Sequence, residues 1–330
     1  MNTIIYSAHK FEINYLEAAN GGIHSLKLMS SSLTAETAAL AKGYEAVSIF
    51  VSDDASAPVL QVLSKAGVKF LVLRSAGYNH VDLAEAKRLN LKVARVPDYS
   101  PYAVAEHAIT LMLALNRKLI RAHNRVMEQN FSLDGLVGFD MHGKTVGIIG
   151  TGTIGSVVAK ILNGFGCRIL ANDKIENEEL KIKYDVVYTD CETLCKESDI
   201  ITLHVPLTPE TKYLIDTNCI SKMKKGVMLI NTSRGALINT RVVIEALKTG
   251  QIGYLGLDVY EEESGLFFED RSEEILKDDV IARLMTFNNV LITSHQAFLT
   301  DTALKNIAET TIYNLDCFSK NIDSENEVKL

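Results

Sequence analysis

Residues 144–173 constrain this chain more than any other stretch. Thr145–Ile149 is a short apolar, β-branched run that ends on Gly150, and Gly150, Gly152 and Gly155 follow at G-x-G-x-x-G spacing. The first glycine permits a tight turn, the second lets backbone approach a pyrophosphate, and the third lets a helix lie close to its strand. Ile154, Val157, Val158, Ile161, Leu162 and Phe165 recur at helical spacing immediately afterwards. The helix they predict would aim its unpaired N–H groups at phosphate. Asp173 closes the following strand, near the offset at which a carboxylate meets a ribose. Strand, glycine turn, helix, strand and acid together predict a βαβ unit that binds a dinucleotide.

The chain has 330 residues, enough for two domains that each bury a core. Its net charge of −7 argues against a nucleic-acid partner, which would need a basic face. No apolar run approaches a membrane span, and the first ten residues lack the apolar core of a signal peptide, so a cytoplasmic protein without membrane contact is expected. The five cysteines are scattered without a C-x-x-C pair; the expectation is reduced thiols, with neither disulfides nor a metal site.

Strand-like and helix-like segments alternate from the start: strands near 3–8, 25–29, 46–51, 69–73 and 92–96, and helices near 11–19, 34–41, 58–65 and 81–89. This alternation predicts a parallel sheet covered on both faces. A long helical pattern at 101–128 suits a crossing into a second domain. Beyond the fingerprint, strands near 185–188, 200–205, 227–231, 254–259 and 290–293 give a second doubly wound sheet of about seven strands. The last helix, near 301–318, has no strand to feed and is expected to return to the first half. The expected division is therefore 1–100 plus 299–330, a discontinuous substrate domain, and 101–298, a dinucleotide-binding domain.

In open α/β sheets ligands bind beyond the C-terminal strand ends. In the second half those ends carry Arg234, Asp258, Glu263 and His295. Carbonyl reduction by a nicotinamide needs a proton donor that titrates near neutrality and a cation that seats a carboxylate. His295 can be the acid, supported by Glu263 or Asp258, and the planar fork of Arg234 can bind a carboxylate bidentately. His204, Val205 and Pro206 end another strand and are expected to line the cofactor groove. In the first half, Tyr99 and the backbone N–H groups of Ala76, Gly77 and Tyr78 could receive a substrate carboxylate, while Phe298, Tyr99 and residues 50–51 could limit the substrate's remaining substituent to a methyl group. The polar loop opening at Arg74 falls in the same position. Glu106 and His107 point apart on a helix and read as surface or interface residues. Glu273, Glu274, Asp278 and Asp279 read as a solvated face, with Phe267 and Phe268 anchoring their loop.

These motifs resemble the D-specific 2-hydroxyacid dehydrogenases over nearly the whole chain, and within that family its D-lactate-forming subgroup. The resemblance rests on Gly150 to Gly155 with Asp173, His204-Val-Pro206, Asn231 to Ala236, Gly256 to Tyr260 with Glu263, and Ser294 to Thr300. It implies two doubly wound parallel-sheet domains, a flavodoxin-like substrate domain and a Rossmann NAD-binding domain. It implies reduction of pyruvate to D-lactate with NADH, Arg234 on the substrate carboxylate, and His295 as acid/base with Glu263 as partner. Thr153, Ile154, Asp173, Val205, Pro206, Thr211, Thr232, Ser233 and Asp258 would contact NAD. It also implies a homodimer or homotetramer. Ser264 stands where many members carry proline after the catalytic glutamate, a departure shared with the D-lactate subgroup. A bulkier 2-oxo acid, or an NAD-sensing corepressor role on the same fold, are the alternatives the sequence leaves.

Overall fold

A computed structural model describes residues 1–329. The chain divides into two compact units, Met1–Ser100 with Phe298–Leu330, and Pro101–Ala297.

The first unit is built from β1 (Asn2–Ile5), α1 (Lys10–Asn20), β2 (Ser25–Leu28), β3 (Ala46–Ile49), α2 (Ala57–Lys65), β4 (Phe70–Leu73), α3 (Leu83–Arg88) and β5 (Lys92–Ala94). The strands form one parallel sheet in the order β2-β1-β3-β4-β5. Ile4, Val47, Ile49, Leu71 and Leu73 are buried against α2 and its neighbours on one face. On the other, the C-terminal helix Asp301–Ser319 packs on α1 and β4, placing Ile312, Leu315 and Phe318 beside Val72 and Ala94. Such a parallel sheet, buried on both faces, explains why these strands read as continuous apolar runs.

The second unit contains α4 (Pro101–Asn116), α5 (Leu119–Met127), β6 (Thr145–Ile149), α6 (Thr153–Gly164), β7 (Arg168–Asn172), α7 (Glu178–Tyr184), β8 (Val187–Tyr188), α8 (Cys191–Glu197), β9 (Ile200–Leu203), α9 (Thr217–Lys222), β10 (Val227–Asn231), α10 (Thr240–Thr249), β11 (Ile252–Leu257), α11 (Asp279–Met285) and β12 (Val290–Ile292). Its seven parallel strands run β12-β11-β10-β9-β6-β7-β8. The order reverses at the β6/β9 pair, the topological switch where such sheets bind ligands. Both units are thus the parallel α/β sheets that the alternation predicts.

Two helices differ from expectation. The 34–41 segment forms only a short 3₁₀ turn, Ala38–Ala41. The Thr37 hydroxyl oxygen accepts from Thr34 N at 2.8 Å, and Thr34 Oγ1 accepts from Thr37 N at 3.3 Å, so side chains satisfy the amides that a helix would use. The 101–128 helix breaks after Asn116. There the buried Asn116 amide exchanges two hydrogen bonds with the backbone of Phe139, and Lys118 takes a left-handed φ of 49°. Among the described residues no helix is long and apolar enough to cross a membrane.

Candidate functional site

The fingerprint loop shows why its glycines are needed. Gly150 has φ +95°, and a Cβ there would stand 2.6 Å from the His204 carbonyl oxygen. At Gly155 a Cβ would stand 1.9 Å from the carbonyl oxygen of Gly150, so helix α6 can approach its strand only without a side chain. Gly152, in contrast, faces open space and caps α6 with no side-chain hydrogen bond. Thr153, Ile154 and Gly155 form the first turn, with N–H groups left for an outside acceptor. This cradle fits a dinucleotide pyrophosphate.

Asp173 stands beside it. Its Oδ2 accepts from Thr151 N at 2.6 Å and Thr151 Oγ1 at 3.1 Å, and Oδ1 accepts weakly from Ile175 N at 3.3 Å. Partial burial opposes ionisation, but these hydrogen bonds outweigh it and hold the carboxyl below the usual range. Asp173 is therefore a charged acceptor whose Oδ1 is the less committed oxygen. His204 directly follows β9 with its Nε2 at 2.9 Å from Thr202 Oγ1, and burial pushes its pKa down to about 4, so the ring is neutral near pH 7. Its Nδ1 and the Thr232 hydroxyl are buried without a hydrogen-bond partner among the described residues. Val205 and Pro206 continue the loop, which Thr211 closes by donating to the Pro206 carbonyl at 2.7 Å. Ser233 Oγ ties the next loop to the Leu203 carbonyl at 2.9 Å.

His295 and Glu263 meet directly. The imidazole Nδ1 lies 2.9 Å from Glu263 Oε1, while Glu263 Oε2 accepts from Tyr260 N at 3.0 Å. A carboxylate can only accept, so Nδ1 carries the proton in this bond and Nε2 is left to face elsewhere. His295 has φ 53°, a left-handed conformation that a non-glycine residue holds only when its surroundings enforce it. Asp258 supplies that enforcement. It is fully buried, with Oδ1 accepting from Thr293 Oγ1 (2.6 Å) and Gln296 N (2.8 Å), and Oδ2 accepting from Ala297 N (2.8 Å). Its backbone carbonyl accepts from His295 N at 2.7 Å. Burial opposes its ionisation too, and the bonds from His107, Thr293 and Ala297 again prevail and lower the pKa. Of the two carboxylates that could support His295, Glu263 touches the ring and Asp258 holds the loop. The Asp258 side chain has no surface of its own to offer a cofactor.

Arg234 is half-buried after β10, and its Nη1 donates to the Ser233 carbonyl at 2.7 Å, leaving the rest of the fork unengaged by that bond. Buried Asn231 braces this loop, donating to the Arg234 carbonyl (2.8 Å) and accepting from Ser233 N (3.0 Å). A Cβ on Gly235 would stand 2.1 Å from the Tyr260 carbonyl carbon, so the arginine and glutamate loops are in close contact.

Within the first unit, Phe298 sits in an aromatic cluster with Phe11, Phe50 and Tyr99 at ring separations of 6.1–6.4 Å. Ala76, Gly77 and Tyr78 form a braced turn: Arg95 donates to the Ala76 carbonyl at 2.6 Å and covers the Tyr78 ring, and Ser75 Oγ donates to the Gly77 carbonyl at 2.7 Å.

Several sequence expectations change here. Arg74 does not serve a polar loop: it is fully buried, paired with Glu12 at 2.9 Å, and donates to Ser48 Oγ and the Tyr6 and Ser7 carbonyls. His107, expected at a surface or interface, is half-buried within its own unit, its Nε2 3.0 Å from Thr293 Oγ1 and 3.4 Å from Asp258, while Glu106 is exposed. Asp278 is not simply solvated, since it caps α11 and accepts from the Tyr260 hydroxyl at 2.7 Å. Phe267 is buried as expected, but Phe268 lies 5.8 Å from the His295 ring. Three of the five cysteines, Cys191, Cys195 and Cys219, converge with their sulfurs within 4.8 Å, where the sequence suggested scatter. Phe11 escaped notice because its helix is far in sequence from Phe50 and Phe298.

Residues 109–297 match the family profile described as D-isomer specific 2-hydroxyacid dehydrogenase, NAD binding domain. A D-lactate dehydrogenase of Escherichia coli is 50% identical over 99% of this chain and 100% of its own length. The structure reported as the pyruvate reductase of Chlamydomonas reinhardtii superposes with a TM-score of 0.93 at 44% identity, over 98% of each chain. A D-lactate dehydrogenase from Aquifex aeolicus, solved with NAD and lactic acid, superposes at 0.86 with 35% identity, over 97% of this chain and 96% of the other.

Proposed function

Because the chain belongs to the D-isomer-specific 2-hydroxyacid dehydrogenases, an NAD-dependent oxidoreductase family, we propose that it reduces pyruvate to D-lactate. NADH, when bound, supplies the hydride that adds to the substrate carbonyl carbon. His295 gives the proton to the carbonyl oxygen from Nε2, and Glu263 holds the ring by Nδ1 and stabilises the imidazolium that precedes transfer. Arg234 grips the substrate carboxylate. The observation that carries this reading is the 2.9 Å His295–Glu263 bond on a loop hung from buried Asp258.

Gly150, Gly152, Thr153, Ile154 and Gly155 would receive the pyrophosphate, and Asp173 the adenine ribose, where its charge would repel a 2′-phosphate. Val205, Pro206, Thr211, Thr232 and Ser233 would contact NAD along the groove that neutral His204 helps to line. Asp258 acts through the 293–297 loop as a positioning residue. Ala76, Gly77, Tyr78 and Tyr99 would offer further contacts to the carboxylate, and Phe298 would limit the third substituent. The small-molecule substrate is consistent with a cytoplasmic enzyme that uses neither nucleic acid nor membrane. A homodimer or homotetramer is supported by α5 and the segment after it, where Leu119, Ile120, Met127, Phe131 and Leu133 are all exposed.

NADH oxidation measured with pyruvate, 2-oxobutyrate and 2-oxoisocaproate, each repeated with NADPH, tests the reading. Highest kcat/KM with NADH and pyruvate is expected; no turnover with any of the three acids would reject an enzymatic role.

A further inference from the structure

Helices α8 and α9 carry a cluster that the proposed reaction does not use. Cys191 and Cys195 are four residues apart and share one face of α8, and α9 packs against that face with Cys219. Cys195 and Cys219 have their sulfurs 3.4 Å apart, and all three sulfurs lie within 4.8 Å of one another. Cys195 is buried at 1% exposure, Cys219 is largely enclosed, and Cys191 is the least buried of the three. The helix starts are pinned by their caps: Asp190 accepts from Thr193 N and Asp216 from Cys219 N, each at 2.8 Å. The neighbouring carboxylate Glu192 is occupied by Lys196 and Lys222, both at 2.7 Å, which leaves the thiols as the free donor set.

We propose that Cys191, Cys195 and Cys219 form a binding site for a single thiophilic divalent cation of the Zn(II) class. Three thiolates each about 2.3 Å from such an ion stand roughly 3.7–4 Å apart, a triangle that sulfurs already within 4.8 Å of one another reach with changes in separation of less than about an ångström. A disulfide would need only two of them and leave the third without purpose. The partly open side at Cys191 admits the ion and leaves a fourth position for water. Binding displaces the thiol protons to solvent, and no electron is transferred. Because α8 packs on β6 and β7, the strands that lead to Gly150 and Asp173, the ion would staple α8 to α9 beneath the fingerprint unit. Its effect is on the stability of that unit, whether or not pyruvate is the substrate.

The test uses the intact protein, reduced with a phosphine and stripped by a chelator. Zn(II) is titrated against a chromophoric competitor, and Cd(II) reports thiolate ligation through its ultraviolet charge-transfer band. One equivalent per chain, a Cd–thiolate band, protection of Cys191, the most accessible of the three, from a thiol reagent, and a rise in melting temperature are expected. Cys191→Ser and Cys219→Ser, each removing one thiolate ligand, should each weaken Zn(II) binding by about tenfold or more, at least the loss expected when only a partner of a ligand is removed, and shrink the band. Cys167→Ser and Cys317→Ser should leave both unchanged. No thiolate band at one equivalent, equal affinity in the Cys191 and Cys219 variants, or a Cys195–Cys219 disulfide that forms as readily with Zn(II) present as without it would overturn the proposal.

Discussion

Replacing Asp258 by asparagine tests whether this residue holds the histidine loop or meets the cofactor. In the native chain its Oδ1 accepts from Thr293 Oγ1 and Gln296 N and its Oδ2 from Ala297 N, all between 2.6 and 2.8 Å, and His107 Nε2 stands 3.4 Å from Oδ1. Asparagine has one acceptor oxygen. The cheaper orientation puts it at the Oδ1 position and turns the new NH2 toward Ala297 N–H. One hydrogen bond is lost, a buried donor is left unsatisfied at about 1–3 kcal/mol, and the surviving bonds lose their charge assistance. The sum is about 2–4 kcal/mol, which for a unit of this size lowers the melting temperature by roughly 5–15 °C. The left-handed backbone of His295 loses its support, so turnover should fall by about 10²-fold, the scale expected when a catalytic group is misplaced by about an ångström. NADH affinity should change much less, because the Asp258 side chain is fully buried. Calorimetry, fluorescence titration with NADH and steady-state rates together read all three. A variant within twofold of native turnover, or one whose main defect is NADH affinity, would refute the argument.

Three further outcomes follow. His295→Ala should lower kcat by roughly two to four orders of magnitude with NADH binding retained, since only the proton donor is removed; a stopped-flow hydride-transfer rate near native would contradict it. His204 is held neutral by burial, with a folded pKa of about 4 below its ordinary value of 6.5, so the unfolded chain binds the extra proton. Its contribution to stability is complete above that ordinary value and is lost as pH falls toward the folded one. Urea midpoints measured between these limits should decline less in His204→Gln, and parallel curves would count against the assignment. Phe298→Ala removes the ring at the centre of the Phe11, Phe50 and Tyr99 cluster. It should raise kcat/KM for 2-oxoisocaproate relative to pyruvate by about tenfold, because one fitted methylene is worth only about 1–3 kcal/mol; an unchanged ratio would place the size filter elsewhere.

The chemistry that depends on short spacing is plain in the sequence. Gly150, Gly152 and Gly155 act within one turn, and the strands they join are apolar runs because parallel sheets bury both faces. What depends on distant contacts is not. Whether Glu263 or Asp258 faces the imidazole stays open in the sequence, and folding decides it by turning residues 260–263 so that Glu263 reaches Nδ1 while Asp258 is drawn under the loop. His107 is paired across nearly two hundred positions with Thr293, so its neighbours in the helix reveal nothing of its partner. Arg74 reads as a loop cation only because Glu12, far back in the chain, is not visible as its counter-ion. Cys219 meets Cys195 although 24 positions separate them, because the successive helices α8 and α9 pack on each other, which residue spacing does not show. The 34–41 segment has helical apolar spacing, but its threonine hydroxyls take the amides first.

The handedness of the product tests the central claim most directly. Pyruvate should be converted with NADH by the intact protein and the lactate resolved by chiral chromatography, with His295→Ala as the control. The account predicts D-lactate alone, formed at a rate that collapses in the variant. L-lactate, a racemate, or D-lactate made equally fast without His295 would contradict it.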